Sequence, residues 1–289
     1  MAVAALLLLT MLAAPAFADV ILPSLNSPPS TVRLPGKFIW FDLASPDLGQ
    51  QKAFYGKLFG WSFRPVAGTG DDYFIVQNDG RAIAGMFSYQ PADGSRDASN
   101  WIALMSVDDP DEAARKVKAG GGKVNVSPTT MANRGRHALF EDPSGAVFGV
   151  LKSSSGDPPD RQAAIGDIMW VDLFSLDTDQ AVAFYRSLAP YETEVRQVTD
   201  TLSRTLLSSQ GKPRTSIIPV AEDANRSSWV PYVRVNDVEA TLQEVVEGGG
   251  FAIVPPNPDL LDGNLAIFVD PNGAVLGIIK WDYEAEAGP

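Results

Sequence analysis

The sequence predicts an α+β protein made by duplication, each half carrying two βαβββ units. Three repeated signatures lead to that reading. Trp40-Phe41-Asp42-Leu43, followed by Asp47 and Phe54-Tyr55, returns 130 positions later as Trp170-Val171-Asp172-Leu173, Asp177 and Phe184-Tyr185. Asp142-Pro143-x-Gly145-Ala146-Val147-x-Gly149 returns 128 positions later as Asp270-Pro271-x-Gly273-Ala274-Val275-x-Gly277. Between them, Trp101 and the triplet Gly120-Gly121-Gly122 match Trp229 and Gly248-Gly249-Gly250 at the same spacing. Landmarks in constant order at a nearly constant offset identify an internal repeat.

Each element follows from local pattern. Residues 37–45 alternate, which puts Ile39, Phe41 and Leu43 on one side of a strand and Trp40, Asp42 and Ala44 on the other. Asp47 with Gln50 three residues on forms a helix start, and Leu48, Phe54, Tyr55, Leu58 and Phe59 make an apolar stripe that Gly60 ends. Strand-like runs follow at 61–66, 73–77 and 82–89, with Gly and Asp turns between them. The pattern restarts with a strand at 101–107, a helix at 111–119 closed by the glycine triplet, and strands at 123–126, 136–141 and 146–151. Residues 166–281 repeat this order, so two domains are expected, 36–152 and 166–281, each with its own core. An extended Pro-rich tether at 19–35, a Ser/Pro linker at 153–165 and an acidic tail at 282–289 complete the chain.

The 289 residues carry a formal charge of −12, no cysteine and a single histidine, His137. An acidic surface argues against nucleic acid and anionic membranes as partners. Without cysteine there is neither a disulfide framework nor a thiolate site. Residues 3–17 are almost wholly apolar and Ala16-Phe17-Ala18 suits a signal peptidase, so residues 1–18 read as an export signal and the mature chain as periplasmic or secreted. The alternative is an uncleaved anchor, although the run is short for a span of about 20 residues.

The Phe-Tyr helix followed by Phe59-Gly60-Trp61, and the Asp-Pro-x-Gly-Ala turn before the last strand of each half, resemble the vicinal oxygen chelate superfamily. That group holds glyoxalase I, bleomycin-resistance proteins and extradiol dioxygenases. The resemblance covers residues 36–152 and 166–281 and is nearest to tandem glyoxalase-like proteins. It implies that each half curls a mixed sheet into a cup around a ligand, with helices on the outside.

It also implies where metal ligands would stand: His, Gln or Glu on the first and fifth strands and Glu on the eighth. Those positions hold Trp40 and Trp170, then Ile102 and Val230 (or, one residue away, Trp101 and Trp229), then Gly149 and Gly277. None of these side chains coordinates a divalent ion. The expectation is therefore no metal and no cofactor, with a small, partly aromatic organic molecule as the partner of one or both cups. The reading allows a homodimer.

Ligand-binding candidates are Trp40, Asp42, Trp101, Arg136, Phe140 and Gly149 in the first half. Those in the second half are Trp170, Asp172, Tyr232, Arg234, Phe268 and Gly277, where Tyr232 and Arg234 correspond to Leu104 and Ser106 and Arg136 to Asn264. Asp42 and Asp172 are candidate bases, since a carboxylate desolvated beside Trp gains proton affinity. His137, whose counterpart is Leu265, reads as a half-exposed strand residue. Three functions stay open: a binding protein, a lyase- or dioxygenase-type enzyme (metal-dependent, or using Asp42 or Asp172 as base), and a structural protein whose tryptophans plug the cups.

Overall fold

The computed structural model describes residues 21–91, 99–220 and 224–283. The expected export segment and all but the first two residues of the expected tail lie outside them. The first half contains β1 (Phe38–Ser45), α1 (Leu48–Phe59), β2 (Ser62–Pro65), β3 (Tyr73–Asn78) and β4 (Arg81–Ser88). It continues with β5 (Asn100–Ser106), α2 (Pro110–Ala119), β6 (Lys123–Met131), β7 (Gly135–Glu141) and β8 (Val147–Ser153). The second half repeats them as β9 (Ile168–Ser175), α3 (Thr178–Leu188), β10 (Glu192–Gln197), β11 (Ser203–Ser209) and β12 (Lys212–Pro219). After these come β13 (Ser228–Arg234), α4 (Val238–Glu247), β14 (Phe251–Val254), β15 (Leu265–Val269) and β16 (Val275–Ile279).

Each of the four α-helices among the described residues starts on an aspartate whose side chain accepts from the backbone of the first turn: Asp47, Asp109, Asp177 and Asp237. Such a cap satisfies amide groups that have no partner within the helix.

The two sheets are open, eight-stranded and identical in topology. Their orders are β2-β3-β4-β1-β5-β8-β7-β6 and β10-β11-β12-β9-β13-β16-β15-β14. In each, two mixed four-strand blocks join through an antiparallel pairing of the first and fifth strands, and the only parallel pairs described are β1–β4, β5–β8, β12–β9 and β13–β16. This is the expected α+β architecture of paired βαβββ units.

Two domains with their own cores, packed together, were expected, and the contact between the halves is extensive. One apolar cluster runs through both halves, from Phe41, Leu43, Trp101 and Phe140 to Leu173, Trp229 and Phe268, with Phe54, Tyr55, Phe184 and Tyr185 of the helices inside it. The helix-bearing faces of the two sheets meet, and Phe38 packs on Trp229 with ring centroids 4.7 Å apart. Polar bonds reinforce the seam. Tyr55 Oη donates to Asp270 Oδ2 (2.8 Å), and Tyr185 Oη donates to Asp142 Oδ2 (3.0 Å). Each Asp-Pro-x-Gly turn thus receives the helical tyrosine of the other half.

The opposite faces of the sheets carry separate clusters. The first contains Ile39, Trp40, Tyr73, Ile75, Ile102 and Leu104, and Leu22 joins it at 4% exposure with Leu25 packed alongside. The second contains Val230, Tyr232, Ile267 and Ile279, with Trp170 packed against them. These faces are the cups.

The segment expected as a tether therefore lies against the first cup. It is pinned by Asn26 Nδ2 donating to the carbonyls of Ser155 and Gly156, and by Leu34 N donating to Asp157 Oδ2 (2.6 Å). Ser155, Gly156 and Asp157 of the expected linker are buried as a result.

Candidate functional site

The first cup is built on β1. A bulge falls between Phe38, which pairs with Met105, and Trp40, which pairs with Leu104. It breaks strict alternation, so Ile39 and Trp40 both join the cup cluster while Phe41 and Leu43 face the shared core. The expected placement of Ile39 on the helix side is corrected for that reason. Trp40, Leu104 and Gly149 then form one row across β1, β5 and β8, and Asp42 pairs with Ile102 in the next. Gly149 does not leave open space, because a Cβ there would lie 2.7 Å from Leu104 Cγ and 3.0 Å from Leu139 Cδ2.

Asp42 Oδ1 accepts from Trp40 Nε1 (3.0 Å) and from Tyr73 Oη (2.7 Å). Gly85 makes this possible, since a Cβ at that position would come within 2.1 Å of both Asp42 Oδ1 and Tyr73 Oη. Burial pushes the Asp42 carboxyl above the usual carboxylate range, opposed by the hydrogen bonds from Tyr73 and Trp40 and by the charge of Arg134.

Arg134 sits in the turn between β6 and β7. Its guanidinium carbon lies 4.1 Å from the Trp40 ring centroid. Asn133 at φ 62° and Gly135 at φ 118° shape the turn. Gly135 is required there, because a Cβ would meet the Lys152 carbonyl at 2.1 Å. Ser154 N donates to the Arg134 carbonyl (3.0 Å), anchoring the turn to the end of β8. His137 follows on the cup side of β7, since its neighbours Ala138 and Phe140 are in the shared core and Leu139 is in the cup. Burial, with Arg134 and Arg136 nearby, lowers the proton affinity of His137.

The second cup reaches a different solution on the same frame. Trp170, Tyr232 and Gly277 make the matching row, and the Tyr232 ring fills the space over Gly277, 2.2 Å from where a Cβ would sit. Ser216 occupies the place of Gly85 and donates to Asp172 Oδ1 (2.5 Å), beside Trp170 Nε1 (2.6 Å). Arg204 stands where the first half has Tyr73. Asp172, like Asp42, has its proton affinity raised by burial.

Of the residues expected to bind ligand, Trp40, Asp42, Trp170, Asp172 and Tyr232 are on the cup faces, with Gly149 and Gly277 in their rows. Five others are engaged elsewhere. Trp101, Phe140 and Phe268 belong to the shared core, where Trp101 Nε1 donates to Tyr55 Oη (3.2 Å). Arg136 turns to the helix side and pairs with Asp111 of α2 (2.6 Å). Arg234 Nε donates to the Trp281 carbonyl and Nη1 to that of Ala163, holding chain segments together. The one-residue alternation of a strand accounts for the misplaced aromatic residues: Ile102 and Val230 face the cups, so Trp101 and Trp229 cannot.

Sequence reasoning missed Arg134, Tyr73, Gly85 and Ser216. The signal for Arg134 was its setting, Asn-Arg-Gly at a hairpin, with Asp262 at the corresponding place in the second copy.

The cups do not fit the metal centre that the fold implies. The rows Trp40–Leu104–Gly149 and Trp170–Tyr232–Gly277 offer no imidazole or carboxylate, and among the described residues no group of three or more His, Cys, Asp or Glu comes together.

A pair of curled mixed sheets, each of two βαβββ units with an inward Trp–Asp pair, defines a tandem cup-type protein of the α+β class. Comparison with known proteins gives the family. Residues 37–150 match the model described as Glyoxalase/Bleomycin resistance protein/Dioxygenase superfamily. The chain is 30% identical to the anthracycline biosynthesis protein DnrV of Streptomyces peucetius, over 88% of this chain and 97% of that protein. It is equally identical to the anthracycline biosynthesis protein DauV of Streptomyces sp. strain C5, over 85% and 94%. The chain belongs to the glyoxalase/bleomycin resistance/dioxygenase superfamily. In fold it is similar to the Mn(II)-bound glyoxalase of Novosphingobium aromaticivorans, with TM-score 0.57, 16% identity, and 86% and 83% of the two chains covered.

Proposed function

We propose that this protein binds a small, partly aromatic organic molecule in its first cup, without a metal ion. The observation that carries the reading is the placement of Arg134 over the Trp40 ring within a cup whose walls are largely apolar. Pockets for small molecules combine apolar walls with a few placed polar groups. In the second cup Tyr232 takes up the space over Gly277, and Asp172 is satisfied by Trp170 and Ser216. That cup serves as support. The names of the Streptomyces relatives, both tied to anthracycline biosynthesis, favour a ligand with a planar fused-ring portion. The donor-poor rows support metal independence, and the apolar run at 3–17 with Ala16-Phe17-Ala18 supports export to the periplasm or beyond.

The test is a titration of the purified protein with planar aromatic compounds, followed by tryptophan fluorescence before and after exhaustive chelation. Binding is expected to survive chelation. Trp40→Ala should weaken it by about 1–3 kcal/mol, as the stack loses its aromatic floor. Binding that needs an added divalent ion would refute metal independence. A Trp40→Ala variant that loses about 3–5 kcal/mol of stability and gains a binding site would mean that Trp40 plugs the cup.

A further inference from the structure

The first cup contains a charged group that the fold leaves without a hydrogen-bonding counterpart. Arg134 is 3% exposed, and its Nε, Nη1 and Nη2 have no hydrogen-bond partner among the described residues. A guanidinium stays protonated at any physiological pH, so this is a buried positive charge. Such a charge is costly unless paired, and a cation–π contact offsets only part of that cost. Asp42 is close enough for its charge to act on Arg134, yet its Oδ1 is already engaged by Trp40 and Tyr73.

The position is not incidental. Gly135 and the Ser154–Arg134 backbone bond fix the turn, and Trp40 fixes the guanidinium over its ring. A guanidinium carried on an aromatic face keeps its in-plane N–H edge for an acceptor, and that edge matches the two oxygens of a carboxylate. His137 Nδ1, on the same side of the sheet, is a second buried polar atom without a partner. The second copy has Asp262 at the corresponding place in the sequence, and in its cup Arg204 leaves only Nε without a partner among the described residues.

We propose that the ligand of the first cup is an organic anion, a planar molecule bearing a carboxylate that pairs with the N–H edge of Arg134. This rests on the binding reading above and adds the charge of the ligand to it.

A matched pair of probes separates the two: 2-naphthoate and its neutral isostere 2-naphthamide, titrated calorimetrically at fixed ionic strength. The wild-type protein is expected to prefer the carboxylate by about ten- to a hundredfold, the usual range for a charge-assisted hydrogen bond. Arg134→Gln should abolish that preference, bringing 2-naphthoate affinity to within about threefold of 2-naphthamide affinity in the same variant. Arg134→Lys, which keeps the charge but not the fork, should retain a weakened preference and covers the case in which the Gln variant does not fold. Equal affinity of the wild type for both probes overturns the anion proposal and leaves the binding reading standing. A preference that persists in Arg134→Gln overturns it as well. Failure of both probes to bind the wild type overturns the binding reading and the proposal with it.

Discussion

Tyr55→Phe tests whether the two halves fold as one body. The phenol is fully buried, and its hydroxyl donates to Asp270 Oδ2 at 2.8 Å while accepting from Trp101 Nε1 at 3.2 Å. Removing the oxygen deletes one hydrogen bond to a carboxylate, worth about 1.5–3 kcal/mol. It also leaves the buried indole N–H of Trp101 without its acceptor, which costs about 1–3 kcal/mol. Against this, the variant no longer desolvates a hydroxyl on folding, and Asp270 keeps Gln51 Nε2, Asn272 N and Ala274 N as donors. The net loss should be about 3 kcal/mol. Urea unfolding followed by far-ultraviolet circular dichroism and by tryptophan fluorescence measures it. Both signals should shift together to lower denaturant, since Tyr55 and Asp270 lie in different halves of a shared core. A loss below about 1 kcal/mol would refute the account of the bond. Two separated transitions, with only the first-half transition moved, would refute the shared core.

Other outcomes follow from the same contacts. Tyr185→Phe should mirror Tyr55→Phe, because Tyr185 Oη donates to Asp142 and accepts from Trp229 Nε1 at 2.9 Å, and the double variant measured in urea should be close to additive. Asp172→Asn should flatten the acid side of the stability profile. The folded proton affinity of Asp172 is raised by burial, so its contribution is fully present below the unfolded value near 4 and is lost as pH rises through the folded value. Thermal unfolding from pH 4 to 7 should show the variant matching or exceeding wild type at pH 7. Gly85→Ala should destabilise by about 1–3 kcal/mol in chemical denaturation, because its methyl would collide with both Asp42 and Tyr73. Leu22→Ala should cost about 2–3 kcal/mol and raise the on-rate for aromatic probes, since Leu22 is buried against the first cup.

Local patterns made the order of elements readable. Strand alternation, four aspartate caps and the Asp-Pro-x-Gly turns are all written within ten or so residues. What stayed hidden depends on contacts between distant segments. Asp142 and Asp270 read as turn residues, because nothing near them in the chain shows that each receives a tyrosine from the other half. The bulge at Ile39 leaves no local trace, yet it decides which side chains enter the cup. Trp101 and Phe140 attract attention as aromatic residues on the expected strands, but alternation turns them into the shared core. Arg134 has the appearance of a surface hairpin residue. Its burial comes from tertiary packing, which places it over Trp40 in a cup that the N-terminal segment also joins.

The shared core also determines how a ligand in one cup would be felt. Each copy retains the Trp–Asp pair, but the first surrounds it with Gly85, Tyr73 and Arg134, and the second with Ser216, Arg204 and Tyr232. The exchange is internally consistent: where Gly85 admits a tyrosine hydroxyl to the carboxylate, Ser216 supplies its own. Duplication thus leaves the first copy with a guanidinium that has no hydrogen-bond partner among the described residues, whereas in the second only Nε of Arg204 lacks one. A ligand that binds only the folded state stabilises it by RT ln(1 + [L]/Kd), about 2.7 kcal/mol at a hundredfold excess over Kd. With one core running through both halves, that energy is distributed over the whole chain. A ligand of the first cup should therefore raise the melting temperature of the second half by the same amount as the first. Independent domains would show the shift in one transition only.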